Sequence, residues 1–235
     1  MFLKINLILK RLIDLFISIV LLFLLLPLFI AISLFIKFDS KGPIFFKQKR
    51  ITKSGKLFWI YKFRTMFVNA DSIASNYYVF DKDPRITKVG SFLRKYSIDE
   101  LPQLINILKG DMSCVGPRPP VFDELGPFEK IQLKYKKRFD FNAGITGLAQ
   151  INGRNNLDWI RKIRYDIKYV NLFRRYGILI DIKILLLTVI YVIKHEAVNE
   201  IKPTHSSNLT NEQIAIQEKD SLIKRIQGEQ LNGSK

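Results

Sequence analysis

The sequence has almost none of the side chains that build covalent cross-links or transition-metal sites. Cys114 is the single cysteine, and His195 and His205 are the only histidines among 235 residues. One cysteine excludes an intramolecular disulfide, and the chain offers no thiolate metal cluster and too few imidazoles for a histidine-rich one. The composition therefore fits a reducing compartment, and any metal is expected to be a hard cation held by oxygen.

Acidic residues are also scarce. The chain has 21 Asp and Glu against 38 Lys and Arg, a formal net charge of +17. Nucleic acid, an anionic membrane surface or a polyphosphate substrate would each account for this excess. Twelve basic residues but only two acids, Asp14 and Asp39, lie in residues 1–70, around the most apolar stretch of the chain. That placement favours membrane lipid as a partner and argues against nucleic acid.

The apolar stretch Leu15–Ile36 is interrupted only by Ser18, Ser33 and a proline, Pro27. As a straight helix it would be about 33 Å long, enough to cross the hydrocarbon core of a bilayer. A signal peptide is a poor alternative, because the apolar region is too long and Lys37 follows where small residues should mark a cleavage site.

Basic residues flank the apolar stretch on both sides, and this pattern favours placing both flanks at the cytoplasmic face. Pro27 lies near the middle, where it removes a backbone donor and favours a kink. A helix that enters the membrane, bends at Pro27 and returns to the same face satisfies both observations. We favour this re-entrant form over a straight transmembrane helix. The flanking basic residues are Lys4, Lys10, Arg11, Lys37, Lys41, Lys47, Lys49 and Arg50.

The remaining chain predicts an α+β fold that is mainly α. Ile44–Phe46 and Leu57–Tyr61 read as strands of a small β-hairpin around Thr52–Gly55. Leu157–Tyr176 interleaves aromatic and basic residues, which suits a helix lying in the lipid headgroup layer or an amphipathic core helix. Ile178–Ile193 is too short to span a bilayer and is expected on the membrane or in the core. Further helices are predicted at Asn69–Tyr78, Val89–Lys95 and Leu101–Leu108.

These elements divide the chain into three parts. Residues 1–38 form the predicted re-entrant membrane helix, and residues 39–198 form a compact catalytic domain with interfacial amphipathic helices at the cytosolic face. Residues 199–235 are predicted to form a polar, loosely ordered C-terminal tail, because the composition turns polar from about Asn199.

The candidates for chemistry concentrate in the middle of the chain. Asp99 and Glu100 are adjacent acids at the start of a predicted helix, and Ser97 and Glu100 have the spacing of a capping box. A carboxylate there could instead bind Mg²⁺ together with phosphate oxygens, or attack a phosphorus atom. The turn Gly116–Pro119 is stiff and fixes Arg118, whose guanidinium suits bidentate phosphate binding. Further positive charge is available from Lys62, Arg64, Arg85 and Arg94.

Several motifs in order resemble the bacterial sugar transferases, also called monotopic phosphoglycosyl transferases. The resemblance runs from about Lys10 to His195, and the short chain looks like the minimal members of the family, which contain only the catalytic unit. The motifs are Lys62-Phe63-Arg64-Thr65-Met66, Asp99-Glu100-Leu101-Pro102-Gln103, Lys109-Gly110-Asp111-Met112-Ser113, Gly116-Pro117-Arg118-Pro119, and Gly144-Ile145-Thr146-Gly147 through Gln150-Ile151-Asn152-Gly153-Arg154.

The resemblance implies a reaction with a UDP-sugar and Mg²⁺ at the cytoplasmic face of the bacterial plasma membrane. Asp99 would attack the sugar-linked phosphate and release UMP, and polyprenyl phosphate would then attack the sugar-phosphoryl aspartate to give polyprenyl-diphospho-sugar. Asp99 would also be the Mg²⁺ ligand, with Glu100 assisting proton transfer or holding the site. The residues implied to contact nucleotide or phosphate are Lys62, Arg94, Pro117, Arg118 and Pro119.

One departure from the family pattern concerns the predicted kink. Family members usually carry Ser immediately before the helix-breaking proline, whereas here Leu26 precedes Pro27, so a hydroxyl that could support the bend is missing. The donor is expected to be an N-acetylated UDP-sugar, with galactose or glucose open as alternatives. Two rival functions remain. A conventional glycosyltransferase would release UDP instead of UMP, and a basic membrane-anchored binding protein would tolerate Asp99→Ala.

Overall fold

A computed structural model describes residues 1–70, 83–122, 128–153, 157 and 159–193 of the chain. Its N-terminal segment forms two helices, α1 (Phe2–Leu24) and α2 (Leu26–Asp39), which meet at Leu25 with a bend of 61°. Pro27 is in the first turn of α2, where its missing N–H breaks no intrahelical hydrogen bond. The bend therefore lies within the apolar segment, two residues before Pro27.

None of the described helices alone is long and apolar enough to cross a membrane, whereas α1 and α2 meet both criteria when taken together as a bent pair.

Helix α1 buries four polar side chains. Asn6, Lys10, Asp14 and Ser18 recur every fourth residue, so they share one face of the helix, and all four are buried against the rest of the protein. Large apolar residues such as Phe16, 68% exposed, cover the outer face. We call these four buried residues the polar stripe of α1.

The polar stripe ties α1 to the first strand of a second sheet, β3 (Met112–Val115). Asp14 accepts hydrogen bonds from the Ser113 hydroxyl at 2.7 Å and from the Cys114 amide at 2.9 Å. Lys10 donates to the carbonyl oxygen of Val115 at 2.7 Å and forms a buried ion pair with Asp181 at 2.5 Å. Each polar group thus has a partner inside the protein, which an apolar surrounding requires.

The predicted hairpin is confirmed. Strands β1 (Phe45–Ile51) and β2 (Leu57–Phe63) are antiparallel, with Phe45 opposite Phe63 and Ile51 opposite Leu57. Ser54 in the connecting turn adopts a left-handed conformation with φ of 56°.

The second sheet was not predicted. Strands β3 and β4 (Ala143–Thr146) are parallel and four residues long, and β3 is buried at every position. Glycines allow the chains that leave these strands to touch: a Cβ added to Gly144 would lie 2.1 Å from the Gly116 amide nitrogen, and one added to Gly147 would lie 2.1 Å from the Gly116 carbonyl oxygen. The sheet therefore holds the Gly116–Pro119 turn close to the Gly144–Gly147 motif.

The described helices after the hairpin are α3 (Lys88–Lys95), α4 (Gln103–Lys109), α5 (Leu133–Lys136), α6 (Trp159–Tyr176) and α7 (Ile178–Ile193). Helix α6 buries Tyr169, Val170 and Phe173 in the main core, while its basic residues Arg161 and Lys168 lie on the exposed face. It is therefore an amphipathic helix with its apolar face in the core. Of the predicted helix at Asn69–Tyr78 only the first two residues are described, and the tail 199–235 also lies outside the described residues.

The polar stripe leads to a first prediction. Asp14→Ala removes a buried carboxylate that accepts two hydrogen bonds and leaves the Cys114 amide without its acceptor. The free energy of unfolding in detergent should fall by about 3 kcal/mol. Phe16→Ala, on the exposed face of the same helix, is the matched control and should change it by less than about 0.5 kcal/mol. Equal effects from the two substitutions in a denaturant titration would contradict the inward orientation of the stripe.

Candidate active site

Asp99 and Glu100 lie in a short 3₁₀ turn, Ile98–Glu100, that precedes α4. The capping box suggested by the sequence does not form: Ser97 has a left-handed backbone with φ of 57°, and its amide donates to the carbonyl oxygen of Arg94. Asp99 is 8% exposed and Glu100 is 7% exposed. The carboxylate of Glu100 is directed instead toward basic residues from two distant parts of the chain.

One oxygen of Glu100 accepts hydrogen bonds from two cations. Its Oε1 atom lies 2.9 Å from Lys62 Nζ and 3.0 Å from Arg118 Nη2. Lys62 comes from strand β2, and Arg118 comes from the turn after β3. Glu100 therefore joins the hairpin, the 3₁₀ turn and the second sheet at one point.

The pKa of Lys62 lies below its ordinary value because the effect of burial outweighs that of its acidic neighbours. Burial lowers the pKa of Lys62 because it removes water from the ammonium group, and the positive charges of Arg118 and Arg50 act in the same direction. The negative charges of Glu100 and Asp99 oppose this by raising the pKa of Lys62. Asp99 is thus close enough to Lys62 to influence its charge.

Asn106 fixes the distance between the hairpin and the acidic turn. It is fully buried in α4, and its amide group donates to the carbonyl oxygen of Trp59 at 2.7 Å and accepts from the amide of Tyr61 at 3.0 Å. Both partners belong to β2, and Tyr61 immediately precedes Lys62. A single side-chain amide therefore sets the position of the lysine relative to Glu100.

The turn that carries Arg118 is held through its carbonyl groups. Four consecutive carbonyl oxygens, of residues 117–120, accept hydrogen bonds. Their donors, in chain order, are the Gly144 amide at 2.9 Å, Arg138 Nη2 at 2.8 Å, Arg50 Nη1 at 3.0 Å and the Ile51 amide at 3.2 Å. With Pro117 and Pro119 also restricting φ, the backbone around Arg118 has little freedom to move.

A shallow cleft opens beside these groups. Its lining is basic and polar, so a phosphate oxygen entering it would meet cationic donors. The lining residues are Arg50, Ile60, Lys62, Gln103, Arg118 and Pro119.

Several site residues expected from the sequence converge. Lys62, Arg118 and Pro119 line the cleft, and Glu100 bonds to the first two of them. Asp99 precedes Glu100 in the chain and influences the pKa of Lys62. Arg94 is half-buried near Asp83, whose pKa it helps to lower, and Arg154 lies outside the described residues. Four residues that shape the site were not predicted, because a sequence does not reveal which distant backbone groups a side chain will reach. They are Arg50, Gln103, Asn106 and Arg138.

The acidic residues provide a limited donor set for a metal. Within the described part of the chain, no group of three or more His, Cys, Asp and Glu residues is arranged to hold a metal ion. Magnesium in phosphoryl-transfer sites is commonly held by one or two carboxylates together with phosphate oxygens and water. Asp99 is buried and close enough to Lys62 to affect its pKa, and this fits such a shared site, in which the substrate would supply the other ligands.

A model of the bacterial sugar transferase family matches residues 5–195 of the chain. The galactosyl transferase CpsE of Streptococcus agalactiae is 48% identical over 158 residues, which cover 63% of this chain and 34% of CpsE. The sugar transferase EpsL of Bacillus subtilis is 40% identical over 203 residues, covering 86% of this chain and 96% of EpsL.

A relative from Escherichia coli carries the name UDP-glucose:undecaprenyl-phosphate glucose-1-phosphate transferase. It is 40% identical over 191 residues, which cover 79% of this chain and 40% of the relative. The chain thus spans about a third of CpsE, two fifths of the Escherichia coli protein and nearly all of EpsL.

The charges around Lys62 generate a second prediction. Glu100→Gln keeps the size of the side chain but removes one of the two negative charges that raise the pKa of Lys62. Burial and the neighbouring arginines lower the pKa of Lys62, and only Asp99 would remain to raise it. The pKa of Lys62 should therefore fall further. A ¹⁵N NMR titration of the lysine side chains, with Lys62 assigned from a Lys62→Arg sample, would measure this shift. Exposed Lys109, which bonds to Tyr61, should titrate as in wild type. A higher or unchanged Lys62 pKa would contradict the arrangement.

Proposed function

Because the chain belongs to the bacterial sugar transferase family, we propose that it transfers a sugar-1-phosphate from a UDP-sugar to undecaprenyl phosphate, with UMP as the second product. The observation that supports this most directly is the meeting of Lys62 and Arg118 on one oxygen of Glu100, beside the buried carboxylate of Asp99. A nucleophilic carboxylate among fixed cations is the arrangement that attack on a diphosphate needs.

The proposed reaction has two displacements at one phosphorus atom. In the first, a carboxylate oxygen of Asp99 attacks the phosphorus that carries the sugar, and the bond to the bridging oxygen breaks, so UMP leaves with the electron pair. In the second, a phosphate oxygen of undecaprenyl phosphate attacks the same phosphorus and the bond to Asp99 breaks. The product is undecaprenyl-diphospho-sugar, and the Asp99 carboxylate is regenerated.

The chain's own residues bind and orient the phosphates in this scheme. Lys62 and Arg118 supply positive charge from fixed positions. Each donates a hydrogen bond to Glu100, and four hydrogen bonds to backbone carbonyl oxygens hold the turn that carries Arg118. Glu100 accepts a hydrogen bond from each of these two side chains and so holds them in place. Mg²⁺ bound by Asp99 and the diphosphate would neutralise charge on the departing UMP phosphate.

Membrane attachment is part of the proposal, since one substrate is a lipid. The outer faces of α1 and α2 are apolar, and basic residues lie before α1's apolar stretch and after α2, so a re-entrant pair at the cytoplasmic face fits both features. Exposed apolar residues on α7, including Leu179 and Leu186, would add an interfacial surface. A site at this boundary can accept a soluble donor and a membrane-anchored acceptor in turn.

The donor sugar is proposed from the relatives' names. UDP-glucose appears in the name of the Escherichia coli relative, and CpsE is named a galactosyl transferase. We therefore place UDP-glucose and UDP-galactose first in a donor panel, ahead of the N-acetylated UDP-sugars suggested by the short chain alone.

The proposed chemistry predicts that Asp99→Asn abolishes activity. Purified protein in nanodiscs with Mg²⁺ and undecaprenyl phosphate should release UMP from one donor of the panel, and the Asn variant should lower that rate by at least about a thousandfold, since an amide is a poor nucleophile. When wild type is mixed with the UDP-sugar and Mg²⁺ but without undecaprenyl phosphate, it should gain the mass of one sugar phosphate by intact mass spectrometry. Asp99→Asn should show no such gain.

Asp140→Asn is the matched control, because Asp140 is a partly exposed acid that pairs with Arg174 away from the cleft. It should keep full activity. UDP in place of UMP as the product would identify a conventional glycosyltransferase, and UMP release by Asp99→Asn at the wild-type rate would overturn the covalent mechanism.

The re-entrant form predicts where cysteines become accessible. Lys4→Cys and Lys41→Cys introduce thiols at exposed positions on either side of the bent pair. Native Cys114 should give no background, because burial raises its pKa to about 12 and the thiolate is the reactive form. An impermeant maleimide should label both variants in inverted vesicles and neither in intact spheroplasts. Labelling of one variant from each side would show a helix that crosses the membrane.

A further inference from the structure

We propose that the buried ion pair between Arg138 and Asp166 is a positioning element for Arg118, holding the substrate-binding turn from the core side. This inference rests on the proposed function only for the role of Arg118 in binding phosphate. It assigns a purpose to two residues that do not touch the cleft themselves.

The pair reaches the turn through its backbone. Arg138, in the 3₁₀ helix Lys137–Asp140, and Asp166, in α6, are each 1% exposed. Arg138 Nη2 lies 2.7 Å from Asp166 Oδ2 and donates a hydrogen bond of 2.8 Å to the carbonyl oxygen of Arg118. One guanidinium nitrogen therefore connects helix α6 to the residue whose side chain binds Glu100.

Stability alone is a weak reason for this pair. The attraction between two buried charges offsets the cost of their desolvation only partly. Apolar side chains of similar volume often stabilise a protein as well or better. The cost is visible at Asp166, where burial raises the pKa to about 6 although Arg138 and the Arg118 backbone lower it. What an apolar pair would not reproduce is a donor aimed at the Arg118 carbonyl.

The geometry of the turn explains why that donor matters. The neighbouring carbonyl oxygens of the turn accept hydrogen bonds from Gly144, Arg50 and Ile51. Among the described residues, Arg138 is the donor to the carbonyl oxygen of Arg118 itself. Rotation of that peptide would swing the Arg118 side chain away from Glu100, to which it is bonded at 3.0 Å. Loss of the buried donor should therefore lower activity without unfolding the protein.

The test replaces both charges together, because removing one alone would leave the other buried and unpaired and could unfold the protein. Arg138→Met/Asp166→Leu should keep the wild-type melting temperature within a few degrees while UMP release under subsaturating donor falls about tenfold or more, the loss expected when a charge-assisted hydrogen bond is removed. Arg174→Gln/Asp140→Asn, which removes a more exposed Arg–Asp pair at 2.6 Å, is the matched control and should keep full activity.

A double-mutant cycle separates positioning from a general structural role. If the pair acts through Arg118, then adding Arg138→Met/Asp166→Leu to an Arg118→Ala protein should lower the remaining activity no further. A full additional tenfold loss in that background would overturn the proposal, as would wild-type activity of Arg138→Met/Asp166→Leu alone.

Hydrogen exchange provides a readout that does not depend on catalysis. The Gly116 and Gly144 amides are hydrogen-bonded at the turn, and they should exchange at least about tenfold faster in Arg138→Met/Asp166→Leu, while core amides of α6 keep their protection. Unchanged exchange at both glycines would refute the positioning role. If wild type releases no UMP from any UDP-sugar, the proposed function fails, but the exchange experiment still decides whether the pair holds the turn.

Discussion

The rest of the structure depends on the burial of the polar stripe of α1. An apolar helix can face lipid on its outer side only if its polar groups find partners inside the protein. Asp14 and Lys10 find them on three successive residues of β3, from Ser113 to Val115. The next residues along the chain are Gly116–Pro119, so the same short strand that anchors the N-terminal helix also delivers Arg118 to Glu100. The position of the apolar N-terminal segment and the geometry of the site therefore depend on the same strand, β3.

The parts of the fold that local patterns determine could be predicted from the sequence. Two short apolar runs on either side of a basic turn predicted the hairpin, and the apolar run at Ile178–Ile193 coincides with α7. Strands β3 and β4 could not be predicted, because each has only four residues and they pair across about thirty residues of chain. The prediction of a capping box at Ser97 was wrong for a related reason. The Glu100 carboxylate binds two cations from distant segments of the chain instead of the local backbone.

The site was predictable to the extent that motifs name its charged residues, but not in how those residues are supported. Lys62 and Arg64 belong to the same motif, but only Lys62 reaches Glu100. Arg64 donates instead to the carbonyl oxygen of Ser40 at 2.7 Å, where α2 ends. Asn106, Arg50 and Arg138 act on backbone groups far away in the chain, and nothing in their local sequence identifies those groups. Asp14 carried the clearest missed signal, since an acid inside an apolar helix needs an internal partner.

The charge balance of the site suits both halves of the proposed reaction. Lys62 and Arg118 face the negative charges of Glu100 and Asp99, and burial works against the charge of Lys62 whenever one of those is lost. In the proposed intermediate Asp99 gives up its carboxylate charge to a bond with phosphorus, but the new phosphodiester carries one negative charge at nearly the same place. Lys62 therefore keeps two anionic neighbours, and Arg118 keeps its position on Glu100. The second substrate then meets the same two basic side chains as the first.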